Sequence, residues 1–208
     1  MYVDGTGRNQ TRGKKMADSK PGALGPIGII VVVLLVLGVA MYVMRVVGRS
    51  NGFDGEWPPT PTGQTMDHDW TVQDLEGQPF DMAETRGKVL FLNFWATWCP
   101  PCVAEMPSIQ RLYDRLQGEG IAFALVTNEE PEPVRQFLER HDYTMPVYVA
   151  GGPVPRGLQP RAIPTTYIVG PDGKVMLKHT GAMEWDAPRV MEFLENLAET
   201  APAEQPGS

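Results

Sequence analysis

The two cysteines of this 208-residue chain stand three positions apart, in Cys99-Pro100-Pro101-Cys102. Disulfide exchange needs one thiolate to attack and a second thiol to resolve the mixed disulfide that forms. A Cys-x-x-Cys at the start of a helix supplies both. Cys99 would then sit at the cap, where free N–H groups and the helix dipole favour its thiolate. Cys102 falls in the first turn, more shielded and able to reach back. The expected roles are Cys99 as nucleophile and Cys102 as resolving thiol, with Trp98 beside Cys99 forming part of the surface a partner protein touches. The pair itself cycles between dithiol and disulfide, so no further cofactor is expected. A structural zinc site would need about four ligands, and the chain offers one cysteine pair and three scattered histidines, His68, His141 and His179. A purely structural disulfide closing so short a loop would add little stability by the chain-entropy argument.

The flanking elements must hold the pair. Val89 to Trp95 (VLFLNFW) is a nearly continuous apolar run, as expected of a strand buried on both faces. Pro100 to about Leu116 reads as a helix. Proline suits its first position because the N–H there lacks a partner anyway, whereas Pro107 should kink it. Ile121 to Val126 and Pro146 to Ala150 read as strands, with a short helix from Pro131 to His141 between them. Thr165–Val169 and Lys174–Thr180 are strands joined by the Pro171-Asp172-Gly173 turn. Trp70 to Met82 reads as two short strands around Glu76-Gly77, and a helix from Ala187 to about Leu197 closes the domain. The expected fold is α/β, a mixed central sheet with helices on both faces.

Charge divides the chain. Residues 1–56 carry seven Lys/Arg against four acids, and residues 57–208 eleven against twenty-one, for an overall −7. The acidic part argues against a nucleic-acid binder, which needs clustered cations for phosphate. Between Ile27 and Met44 there is no charged residue. With Val46 and Val47 that run is long enough for a hydrocarbon core of roughly 30 Å. The flanking bases place residues 1–25 in the cytoplasm and the rest beyond the membrane. A signal peptide cleaved near Gly38-Val39-Ala40 is the alternative, but the apolar run continues past it. The expected organisation is a basic tail (1–25), a transmembrane anchor (26–47), a flexible Gly/Pro/Thr-rich linker (48–66), one domain (67–200) and a loose tail (201–208).

Three stretches together, NFWATWCPPC, Glu105-Met106-Pro107 and IPTTYIVGPDGKV, resemble the TlpA/ResA-type thioredoxin-like proteins. DLEGQPFDMAETRGKVLFLNFW fits the extra strands such proteins add before the thioredoxin core, so the resemblance covers about residues 67–198. It implies a thioredoxin fold and thiol–disulfide exchange. Taken alone, Ile163-Pro164 is an ordinary proline before a strand; the resemblance implies that Pro164 is a cis-proline facing the cysteines, with Ile163 at the substrate surface. It implies that Asn93 stands where thioredoxin carries a buried Asp, and it makes Glu105 the candidate for proton handling. The alternative for Glu105 is a solvated helix residue. It further implies a membrane-bound protein with its domain in the periplasm or its equivalent. Such proteins reduce protein disulfides, among them those of apocytochrome c, with electrons from a transmembrane thiol carrier of the CcdA or DsbD kind.

Two other classes share the fold. A peroxiredoxin-like peroxidase would carry Thr three residues before its cysteine, where this chain has Ala96. A copper chaperone for oxidase assembly would need a suitably placed histidine, for which His179 is the candidate.

Overall fold

A computed structural model describes residues 26–47, 57–118 and 120–201, with side chains in the first of these only for 29–41. The chain forms two units, Met1–Val47 and Gly48–Ser208. In the first, Pro26–Val47 form one 22-residue helix, α1. Its described side chains, Ile29 to Met41, are apolar and exposed. Among the described residues no helix is long and apolar enough to cross a membrane. The expected basic tail of 1–25 lies outside the described residues.

The second unit is built on a seven-stranded mixed sheet, in the order β2-β1-β5-β4-β3-β6-β7. Its central strand, β3 (Val89–Phe94), is buried along its whole length. It pairs in parallel with β4 (Ile121–Thr127) and antiparallel with β6 (Thr165–Val169). The connection from β3 to β4 is α2 (Pro100–Leu116), and α3 (Pro131–His141) leads from β4 to the parallel β5 (Val147–Val149). On the outer side of β5 stand β1 (Thr71–Gln73) and β2 (Pro79–Asp81), joined around Gly77. A 3₁₀ turn at Met82–Thr85, which the pattern did not announce, leads from β2 into β3. On the other side β6 pairs with β7 (Val175–Thr180), and α4 (Pro188–Glu199) follows. The β6–β7 turn needs Gly173, whose φ of +78° disfavours any side chain.

The alternation of β3 sends its side chains into two cores. Val89 and Phe91 join Ile109, Leu112, Val134, Phe137, Val190 and Leu194, so that α2, α3 and α4 all pack in one cluster. Leu90, Leu92 and Phe94 join Met66, Trp70, Met82, Leu158 and Tyr167, and among the described residues no α-helix contributes to this second cluster. The expectation of helices on both faces is therefore corrected. The steps from β3 to β4 and from β4 to β5 run in the same direction across the sheet. Right-handed crossovers then put α2 and α3 on the same side. The second face is closed by the segment before β3 and by residues 150–163.

The flexible linker expected over 48–66 is also corrected for its described part. Residues 48–56 lie outside the described residues, but Trp57 onward belongs to the domain. Trp57 packs edge-on against Phe193 of α4 at 5.3 Å, with Arg189 over its ring. Thr62 N–H donates to Val175 C=O, Val175 N–H to Gln64 C=O and Met66 N–H to Gly173 C=O. The Pro-rich composition that resembles a tether is here an edge segment that covers part of β7. Met66 is only 4% exposed. Of the tail expected over 201–208, residues 202–208 lie outside the described residues.

This packing makes Met66→Ala costly: its urea midpoint should fall by an amount equivalent to about 2–4 kcal/mol, as for a buried methionine truncated in a core. A shift within about 0.5 kcal/mol, typical of an exposed position, would mean that the segment is a tether after all.

Candidate active site

The end of β3 delivers the chain to Trp95, and the loop that follows carries Thr97 and Trp98 to the first turn of α2. Cys99 is the N-cap of that helix, with extended φ and ψ. Its two successors, Pro100 and Pro101, have no N–H to offer. Cys102 N–H is thus the first backbone donor of the helix, and it points at Cys99 Sγ from 3.3 Å. Cys99 C=O accepts from Val103 N–H. The two cysteines are joined in a disulfide with Cα atoms 5.2 Å apart. Cys102 is fully buried and Cys99 nearly so, while Trp98 beside them is 71% exposed. A large indole held in water next to a redox pair is the kind of anchor that protein contacts use.

The turn opposite the pair contains a cis Ile163–Pro164 bond. Ile163 C=O lies 3.7 Å from Cys99 Sγ, and β6 starts at the next residue after Pro164. Cys99, Cys102, Trp98, Ile163 and Pro164, far apart in sequence, thus share one end of the sheet.

Below the pair lies Glu105, one helical turn after Cys102 and 2% exposed. The solvated-helix alternative is overturned. Its carboxylate accepts three hydrogen bonds: Asn93 Nδ2 donates to Oε1 at 2.9 Å, and Trp185 Nε1 and Met183 N donate to Oε2 at 2.8 and 3.2 Å. Asn93 Nδ2 also donates to Thr166 Oγ1 on β6. Burial, the largest influence, pushes Glu105 up from about 4.5 to about 7, against the opposing hydrogen bonds of Trp185, Asn93 and Met183. A carboxyl at this value can give or take a proton near neutral pH.

Residue type and spacing alone did not point to several of these side chains. Trp185 and Ser108 were not singled out in this way, and their partners lie 77 to 80 residues away. Glu129, in the loop after β4, accepts from Thr97 N at 2.6 Å and from Thr97 Oγ1 at 2.7 Å. It holds the loop that presents Cys99. Of the histidines, His68 is buried before β1, His141 ends α3, and His179 lies on β7 edge-on to Trp185. Among the described residues no three His, Cys, Asp or Glu side chains converge as a metal site requires.

The AhpC/TSA family model matches residues 63–178. The thiol-disulfide oxidoreductase ResA of Halalkalibacterium halodurans is 33% identical over 171 residues, which cover 81% of this chain and 91% of that protein. The chain belongs to the AhpC/TSA family and is of the ResA type. ResA of Geobacillus thermodenitrificans is 34% identical over 157 residues, or 74% of this chain and 85% of that one. Among solved structures, a thioredoxin-family thiol:disulfide interchange protein from Chlorobium tepidum superposes with a TM-score of 0.52 at 25% identity, covering 71% of this chain and 99% of its own. These ResA-type relatives, with the Cys99–Cys102 bond, establish a thioredoxin-like thiol–disulfide oxidoreductase.

Glu105 makes stability depend on pH. Unfolded, it ionises near 4.5; folded, near 7. The folded chain holds this proton more tightly, so the contribution is complete below about pH 4.5 and is lost as pH rises through about 7. It amounts to roughly 3 kcal/mol. Thermal unfolding of Glu105→Gln should show a flatter Tm between about pH 5 and pH 8 than the parent. An unchanged slope would place the dependence elsewhere.

Proposed function

We propose that this oxidoreductase works as a reductant of protein disulfides on the outer side of the cytoplasmic membrane. The observation that carries the reading is the cap of α2. Thiolates at helix N-termini are stabilised by converging N–H donors, and here Pro100 and Pro101 remove two of them, leaving Cys102 N–H on the sulfur. A less stabilised Cys99 thiolate leaves the dithiol form readier to give up electrons. The uncharged run from Ile27 to Met44 and the basic residues before it in the sequence support anchoring with the N-terminus inside and the domain outside.

In the proposed cycle the Cys99 thiolate attacks one sulfur of a substrate disulfide. The substrate S–S bond breaks, a Cys99–substrate disulfide forms, and the departing substrate thiolate takes up a proton. Cys102 then gives its proton to Glu105 and attacks Cys99 Sγ. This closes the Cys99–Cys102 bond and releases the second substrate thiolate, which is protonated in turn. Two electrons have passed from the dithiol to the substrate. Trp98, Ile163 and Pro164 form the surface against which the substrate chain lies. The substrate class is the cysteine pair of an unfolded or partly folded exported protein, apocytochrome c among them. A transmembrane thiol carrier of the CcdA or DsbD kind returns the electrons.

Cys102→Ala in native membranes should accumulate mixed disulfides on Cys99, released by reductant and identifiable by mass spectrometry. Their absence would contradict the reading, as would turnover of hydroperoxide faster than of protein disulfide. Equilibration with glutathione or thioredoxin should place the potential toward the reducing end of this fold's range, near roughly −270 mV, and not at the oxidising end near roughly −120 mV.

A further inference from the structure

Trp185 is fully buried, and its ring has apolar work to do: it meets Phe91 edge-on at 5.1 Å and His179 at 5.9 Å. A phenylalanine could fill much of that space. The indole nitrogen is what a core filler does not need, because a buried N–H requires an acceptor. It finds one in Glu105 Oε2. The backbone around it is fixed to the same stretch of helix. Trp185 N–H donates to Ser108 Oγ at 3.1 Å, and the Ser108 hydroxyl faces the carbonyls of Glu105 at 2.7 Å and Met183 at 3.3 Å. Met183 N–H supplies the second donor to Oε2. On the outer side, Arg111 of α2 pairs with Glu184 and Asp186 of the same loop. The loop after β7 is thus stitched to α2 from both sides, and its one fully buried side chain ends on the carboxylate.

We propose that Trp185, carried by the loop 181–186, is the positioning residue that orients the Glu105 carboxylate beneath the cysteine pair. The proposal rests on the reading of Glu105 as the proton-transfer group, and its test separates the two. Asn93 faces Glu105 from β3, with Thr166 of β6 behind it; neither titrates. Glu184 and Asp186 of the loop are turned outward to Arg111. His179 of β7 also meets the Trp185 ring edge-on, so the Glu105→Gln variant is needed as the control.

Three measurements on the solubilised full-length chain make this test. In the unaltered protein the Trp185 indole N–H resonance should move with pH around a midpoint near 7, the value set by Glu105. In Glu105→Gln that movement should vanish; a movement that persists there overturns the coupling of the indole to Glu105. In Trp185→Phe, the loss of a hydrogen bond to a charged acceptor should raise the Glu105 carboxyl midpoint, followed by carbon NMR, by about one pH unit. The rise of the exchange rate with pH should shift by the same amount, making exchange about tenfold slower at pH 6. In the Glu105→Gln background, Trp185→Phe should leave the rate profile where it was. An unmoved Glu105 midpoint in folded Trp185→Phe overturns the assignment of Trp185. A moved midpoint with an unmoved rate profile upholds that assignment and overturns the proton-transfer role of Glu105. If Trp185→Phe does not fold, an indole resonance that ignores pH in the unaltered protein overturns the proposal.

Discussion

A carboxyl group buried in an apolar core is costly unless donors surround it or it takes up a proton. Glu105 does some of each. Donors from β3 and from the loop after β7 converge on it, yet burial still outweighs them and leaves the group poised near neutrality. Those donors can reach it only if β3, α2 and the loop after β7 are held in register, so the site is a reading of the whole packing and not of the Cys-x-x-Cys alone. Asn93 illustrates this. It lies on the same face of β3 as Phe91, and its amide bridges the helix to β6. A change in strand register by one residue would turn it to the other face.

The one-sided placement of the helices serves the same end. With α2 and α4 packed together over β3, the loop between β7 and α4 is brought down on the second turn of α2. The opposite face is closed by irregular chain, which leaves residues 150–163 free of helical geometry. That segment ends in the Ile163–Pro164 turn beside Cys99.

Much of this was legible from residue order. Period and length gave the strands flanking the cysteine pair and the extent of α2 and α3, because β3 is buried on both faces and the helices carry plain apolar stripes. The place of Cys99 at the helix cap and of the more shielded Cys102 in the first turn followed from the Cys-x-x-Cys spacing and the prolines between them. Glu105 could be singled out by family resemblance, but not its burial: one helical turn after Cys102 is compatible with solvent or core, and only the loop 181–186 decides which. Trp185 was invisible as a functional residue because an indole amid Met183, Val190 and Phe193 looks like core. The expectation of helices on both faces differed from the structure because alternation of strands and helices does not state the order of strands in the sheet. Residues 57–66 were misjudged for another reason. Proline and glycine mark chain that is neither helix nor strand, and such chain can still be firmly hydrogen-bonded when an open strand edge lies beside it.

That edge carries a consequence for how the domain is completed. Thr62 bonds Val175 across 113 residues of sequence. Contacts of such separation form late, after the loop between them has been closed. During synthesis residues 57–66 emerge before the rest of the domain, yet the strand edge they bind exists only once β6 and β7 have been made and paired. Until then the Val175 edge stands open, the condition under which strands recruit wrong partners. The earliest part of the domain to leave the ribosome is therefore the part that seals it, and a chain that lacks residues 57–66 would fold to a sheet with one unguarded border.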